Sequence, residues 1–256
     1  FEAYFATYEI ANFTFTAAVV QKWQGADAGL GYSNGVRLDS NWVTVGDGGT
    51  SMAGITYSDA IEFNAWYYDI PKQQNANKAT YIDIGSHSGE GDTTLHFAAQ
   101  YLQESEEKNS GVEADVYGAL VEFVTYGVGL NLAYNKSKRH EGKRTFSGIG
   151  GGSLYTSMDT MILDEIAQDR AAQAIVAGIE YGVDNWNFLY AYGDFKGEED
   201  SAGDKAHIVE QNLAVEYNVN DEFVLAAIYV KEEDKENEAK TENDWDRLQV
   251  MVKYDF

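Results

Sequence analysis

Residues 247–256 read Arg-Leu-Gln-Val-Met-Val-Lys-Tyr-Asp-Phe. Leu248, Val250, Val252, Tyr254 and Phe256 alternate with Arg247, Gln249, Lys253 and Asp255, and Met251 is the one apolar residue out of step. Period two over such a run describes a strand with one apolar and one wet face. The pattern recurs upstream. Ile175, Ala177, Ile179, Tyr181 and Val183 form one such face, and Trp186, Phe188, Tyr190 and Tyr192 another. Val209, Leu213, Val215 and Tyr217 oppose Glu210, Asn212 and Glu216. Leu95, Phe97, Ala99 and Tyr101 oppose His96 and Gln100. Ile61, Phe63, Ala65 and Tyr67 oppose Glu62 and Asn64, and Phe13, Phe15, Ala17 and Val19 oppose Thr14 and Thr16. Weaker strands fit near 2–10, 51–58, 78–86, 112–124, 127–135 and 222–231, for about thirteen in all.

A soluble β-sandwich alternates in the same way, so the connections decide the class. Short ones lie at Ile10–Asn12, Ser58–Ala60, His87–Asp92, Thr125–Gly127, Asp184–Asn185 and Asn218–Asp221. Between them fall long ones at Gly25–Thr50, Pro71–Asn77, Glu104–Ser110, Lys136–Ala172, Lys196–Asp204 and Glu232–Asn243. Strict short/long alternation marks an all-β, antiparallel up-and-down transmembrane barrel, with tight turns at one rim and long loops at the other. Greek-key sandwiches do not connect this way. Aromatics near strand ends, as in Trp66-Tyr67-Tyr68, Trp186 and Tyr217, fit interfacial girdles.

Composition agrees. The chain has 256 residues with 42 acidic and 18 basic side chains, a net charge of −24, no cysteine and a single proline. That charge excludes non-specific binding to phosphate backbones, so no nucleic-acid partner is expected. Without cysteine there is neither a disulfide framework nor a thiolate metal site. Aromatics at 14% argue against a disordered acidic chain. No stretch approaches the ~20 apolar residues of a membrane helix, but barrel strands of about 10 alternating residues escape that test. Residues 1–256 read as one barrel domain. An odd strand count would put the first strand's start at the loop rim, whereas single-chain bacterial barrels have even numbers. Either a strand such as Asn41–Val45 has been missed, or further strands precede Phe1. The second is expected, because Phe1 begins inside a strand-like pattern.

The closing Val252-Lys-Tyr-Asp-Phe256, with Val252, Tyr254 and Phe256 alternating, resembles the C-terminal signal by which assembly machinery recognises outer-membrane barrels. Ser51–Pro71 (SMAGITYSDAIEFNAWYYDIP) and Gly150–Asp164 (GGGSLYTSMDTMILD) resemble segments of the OprD-type porins, including the related major outer membrane porins. The resemblance covers most of the chain and matches the C-terminal two-thirds of such a porin. It implies an outer-membrane barrel of about eighteen strands, often a homotrimer, passing small solutes through a constricted lumen, with about five N-terminal strands lying outside this sequence. The family's basic lumen ladder is not transferable to these residues, and the acidity of the chain speaks against it.

A porin works through its wet wall and constricting loop. Polar members of the alternating strands are the wall candidates: Glu62, Asp83, Glu113, Asp115, Glu180, Glu210, Glu216, Arg247 and Lys253. Carboxylates dominate, and rings of Asp and Glu favour cations. The basic island Lys136, Lys138, Arg139, Lys143 and Arg144, with His140, opens the longest loop. It would contact lipopolysaccharide, draw anions to the mouth, or pair locally with acidic loops. Met158, Met161, Ile162 and Ile166 repeat at helical spacing and predict a short amphipathic helix within Ser157–Ala172, folded into the barrel or capping its mouth. Acidic loops offer carboxylates of the kind calcium takes, but no Asp-x-Asp-x-Asp-Gly loop is present, and no resident cofactor is expected. Nor is an enzyme. No G-x-S-x-G or H-x-x-x-H stands in the chain, and Gly150-Gly151-Gly152 lacks the Lys-Ser/Thr of a phosphate cradle. The alternative to a pore is a barrel with no open path, an adhesin or structural protein whose acidic loops do the work.

Overall fold

A strand's backbone N–H and C=O groups need partners on both edges, and chain order supplies them to the strands between the first and the last of the ladder. The computed structural model describes residues 2–23, 32–33, 36–37, 43–44, 49–70, 77–145, 154–220, 222–236 and 244–254. Phe1, Gly150–152 and Phe256 lie outside them, so the described part of the terminal signal is Val252 and Tyr254. The strands are β1 (Glu2–Ile10), β2 (Phe13–Trp23), β3 (Tyr32–Ser33), β4 (Val36–Arg37), β5 (Val43–Thr44), β6 (Thr50–Ser58), β7 (Ile61–Ile70), β8 (Asn77–Glu90), β9 (Thr93–Glu106), β10 (Ala114–Thr125), β11 (Val128–Ser137), β12 (Ala172–Val183), β13 (Trp186–Gly197), β14 (Ala206–Asn220), β15 (Phe223–Asp234) and β16 (Trp245–Tyr254). The one helix among the described residues, α1, is Leu163–Ile166. It is far shorter than a membrane span, and no described helix is long and apolar enough to cross a bilayer.

Thirteen strands form one antiparallel ladder in chain order, β1-β2-β6 through β16 without a crossover, as the alternating connections predict. The segment read as a candidate strand at Asn41–Val45 contributes only β5, whose two pairs extend the end of β2. The ladder ends at β1 and β16, and no described pairing joins these two edges. The tight turns show why so few residues suffice. Tyr126 and Gly127 both take positive φ (46° and 78°), the backbone twist that matches a two-residue hairpin. A Cβ at Gly127 would stand 2.9 Å from the carbonyl of Gly182.

Register sorts the side chains onto two faces. One row across eight strands reads Leu95, Phe123, Leu130, Ile179, Tyr190, Leu213, Tyr229 and Leu248, apolar or aromatic at every step. The row one residue away reads His96, Glu122, Asn131, Gly178, Ala191, Asn212, Val230 and Arg247. None of the described residues covers the first face: Leu213 is 49% exposed and Leu248 67%. A continuous uncovered apolar band of this kind is what hydrocarbon solvates and water does not. Trp186, Phe188 and Tyr217 cluster on it beside a tight turn, with the Trp186 and Tyr217 rings 4.6 Å apart. Tyr67 also faces outward. Trp66 and Tyr68, read as girdle members, instead sit opposite Tyr81 and Ala79 on the other face. Their aromatic run spans both faces, so only alternate members can reach lipid.

The second face is concave. Tyr155 donates its hydroxyl to Asp83 of β8, and four residues later Asp159 meets Arg247 of β16. On a flat sheet those strands would be eight steps, about 38 Å, apart. The chain from Tyr155 to Asp159 reaches at most about 14 Å and is shortened by the turn that Ser157 N–H closes on the Leu154 carbonyl, so the side chains could bridge the rest only if all lay fully extended along the sheet. The sheet therefore curls around the segment, which lies on its inner face.

Candidate functional site: the inner wall and its inserted loop

The connection from β11 to β12 turns back into the barrel, and both polar and apolar groups hold it there. Glu210 of β14 is fully buried and accepts three bonds: Thr160 N at 3.2 Å, Thr160 Oγ1 at 2.6 Å and Met161 N at 2.6 Å. Asn135 of β11 accepts Thr156 N and Thr156 Oγ1 at 3.1 and 3.0 Å. Leu154, Met161, Leu163 and Ile166 pack on Ala114, Val116, Ala133, Ala174, Val176 and Phe195 of the wall. Gly193 leaves room for Met158, whose sulfur would lie 2.1 Å from a Cβ there. The predicted helix shrinks to the four residues of α1, because buried backbone groups of Thr156, Thr160 and Met161 bond to the wall instead of to a preceding helical turn. Its apolar period nevertheless marks the side that docks.

Seven of the nine wall candidates face inward. Glu62, Asp83, Glu180, Glu210, Glu216, Arg247 and Lys253 all lie on the inner face by register. Asp83, Glu210 and Arg247 are engaged by the inserted loop. Glu62, Glu180 and Glu216 lie nearer the tight turns, on wall that the loop leaves open. Glu113 and Asp115 differ. Asp115 pairs with Gln103 on the side of Tyr117, and its carboxylate accepts from Tyr101 at 2.6 Å. Both flank His140, at 3.4 and 3.2 Å, on the outer rim. Polarity misassigns this strand because its inner residues Ala114 and Val116 are apolar, facing the inserted loop rather than water. The same inversion hides Glu122. It stands inward on β10 beside His96 (2.7 Å), and its one sequence signal is a lone charge inside Leu120–Val124.

Three members of the basic island, Lys138, Arg139 and Lys143, find side-chain partners locally. Lys138 Nζ donates to Tyr117 Oη at 3.0 Å and sits 5.0 Å above its ring. Lys143 pairs with Glu106 at 2.5 Å, and the Arg144 backbone bridges Gly111 and Glu113. Lys136 projects outward opposite Tyr117. Arg139 spans Ser201 Oγ (2.9 Å) and Asp169 (3.4 Å), and Arg170 reaches Asp200 at 2.6 Å. Asp169 also accepts the backbone N–H of Gly142 and Ser201, at 2.6 and 3.1 Å. The Ser201 side chain, with these backbone donors and Arg139, holds the Asp169 carboxyl well below the usual range. The Asp204 N–H, with Ala202 and Arg170, lowers Asp200 likewise. A depressed carboxylate stabilises the fold above its unfolded value of about 4, and that contribution disappears as pH falls through the folded value. Hydrogen exchange at residues 139–143 and 198–204 should therefore stay slow from neutral pH to about 4 and accelerate below it. Acceleration already near pH 6 would mean that these two carboxylates do not hold the loops.

Among the described residues, the group with metal-ligating spacing is not in the acidic loops. It is Glu62, His87 and His96 on the open half of the wall, with ligand atoms within 4.8 Å of one another.

An up-and-down ladder with a lipid-exposed band and a concave polar wall holding an inserted loop is the architecture of a porin barrel. The known structures agree. The chain superposes on Acinetobacter baumannii OccAB4 with a TM-score of 0.74 at 13% identity, covering 97% of this chain and 63% of that one. It matches Pseudomonas aeruginosa OccK9 (OpdG) with 0.74 at 14%, covering 98% and 65%. For OccD1 (OprD) the values are 0.73 at 14%, covering 98% and 67%. These are OprD/Occ porins, the group that the segments Ser51–Pro71 and Gly150–Asp164 resemble. At such identities the likeness is one of fold. The chain spans less than two-thirds of the length of OccAB4 and OccK9. No family profile and no curated protein sequence matches it.

Proposed function

We propose that this chain acts as a porin of a bacterial outer membrane, passing small solutes by diffusion with a preference for cations. One observation carries the charge preference. The open half of the inner wall presents Glu62, Glu122, Glu180 and Glu216, whereas the strand-borne cations on the inner face of β6–β16 are Lys253 and Arg247, the latter spent on Asp159. Carboxylates lining a low-dielectric passage concentrate cations and repel anions. Charge on the outer loops matters less, since salt screens it over about 8 Å at physiological strength. Lipid, lipopolysaccharide and the barrel assembly machinery are the partners that go with this reading, and a homotrimer the assembly.

The test is a reversal potential in planar bilayers under a potassium chloride gradient. A cation-selective sign is expected, and it should shrink when Glu122, Glu180 and Glu216 are together changed to Gln. An anion-selective sign would refute the preference. A second reading, a plugged barrel serving as adhesin or structural protein, draws on the buried apolar packing of Leu154, Met161, Leu163 and Ile166 inside the wall. Absence of conductance steps from correctly folded protein would favour it.

A further inference from the structure

We propose that Glu62, His87 and His96 form a binding site for a divalent transition metal of the zinc type on the inner wall, with Glu122 as the positioning residue. The inference needs only the fold of β7–β10 and stands whether or not the barrel conducts.

His87 and His96 are direct cross-strand partners on β8 and β9. Their rings stack at 4.0 Å with 8° between planes. The His87 Nε2 lies 3.2 Å from a Glu62 carboxylate oxygen. Two ligands about 2.1 Å from a tetrahedral zinc stand roughly 3.4 Å apart, so this pair already has coordination spacing. His96 has its Nδ1 2.7 Å from a Glu122 carboxylate oxygen. A carboxylate can only accept, so Nδ1 carries the proton and Nε2 the lone pair. That Nε2 is buried and has no hydrogen-bond partner. A carboxylate that fixes a histidine tautomer while the other ring nitrogen is left for the metal is the usual second sphere of zinc sites.

The backbone makes room for this. Gly85 pairs with Glu62, and a Cβ at Gly85 would stand 2.7 Å from the His96 Nε2. A larger residue would therefore displace the ring that bears the free nitrogen. One ligand atom from each of the three residues lies within 4.8 Å of the others, a span within the reach of side-chain rotation. The groove lined by His87, His96, Glu122, Asn131 and Glu180 leaves water access for a fourth ligand. Two imidazoles and one carboxylate suit zinc, copper or nickel over calcium or magnesium, which take oxygen ligands.

The experiment is zinc titration of the chelator-treated, folded protein in detergent, by calorimetry, with cobalt as the optical probe. One zinc per chain is expected, with a tetrahedral cobalt spectrum and no competition from excess calcium. His96→Ala should abolish the spectrum, and Glu122→Gln should weaken zinc binding about 10–100-fold. His140→Ala, at the outer rim, should leave both unchanged. A readout on the unaltered protein guards against variants that fail to fold: zinc should protect His87, whose side chain is exposed, from diethyl pyrocarbonate while His140 still reacts. Binding that survives His87→Ala with His96→Ala, zinc weakened equally by His140→Ala, or no protection of His87 would each overturn the site.

Discussion

Glu210→Ala should free the inserted segment, raise single-channel conductance and lower stability together. Glu210 is fully buried and its carboxylate satisfies the backbone N–H of Thr160 and Met161 and the Thr160 hydroxyl. Hydrogen bonds to a charged acceptor contribute about 1.5–3 kcal/mol each, and two backbone donors left bare in a buried place would add their own cost. The segment escapes part of that cost by leaving the wall for water, so a net loss of roughly 2–4 kcal/mol is expected. Departure also exposes Leu154, Met161 and Leu163, which now rest on Val116, Ala174 and Phe195. Glu210→Gln keeps one acceptor oxygen and should fall between. Guanidinium unfolding alongside bilayer conductance reads both effects. If Glu210→Ala conducts and unfolds like the parent, the loop is not held by this carboxylate.

Leu132→Arg should destabilise the protein by about 2–4 kcal/mol in bilayers, whereas Asn131→Arg, one residue away, should cost less than about 1 kcal/mol. The contrast follows from register. Leu132 is 53% exposed between Val121 and Ala177 on the outer face, and a guanidinium there meets hydrocarbon. Asn131 lies between Glu122 and Gly178 on the open inner wall, where an arginine finds water and carboxylates. The comparison belongs in phospholipid vesicles, with unfolding followed by tryptophan fluorescence. In detergent the gap should narrow, because micelles admit water near the charge. Equal costs at the two positions would mean that the apolar band is not a lipid surface.

The strand pattern was legible because a barrel wall is read by its solvents, one on each face. Leu248, Val250 and Val252 against Arg247, Gln249 and Lys253 need only the rule that neighbours alternate sides, and the ladder keeps that order. The rule fails where a third phase touches the wall. Val116, Val176 and Phe195 face inward and are apolar because the inserted segment, not water, lies against them. Alternation of polarity accordingly puts Glu113 and Asp115 on the wrong side and hides Glu122. Trp66 shows the same limit: an aromatic run at a strand end does not say which of its members faces lipid.

By itself, the sequence determined the strands, their antiparallel order, the rim that carries the long loops and the acidic sign of the whole. Each of these follows from local alternation, turn length or a sum of charges. Only the tertiary structure decided where the loop after β11 docks, which carboxylates remain open to the lumen, and that His87 and His96 stack. Those outcomes join residues far apart in the chain, such as Asp159 with Arg247 and Thr160 with Glu210, and depend on how far the sheet curls. No local period encodes that curvature. It arises from twist accumulated over many strands, and it sets which side chains meet across the interior.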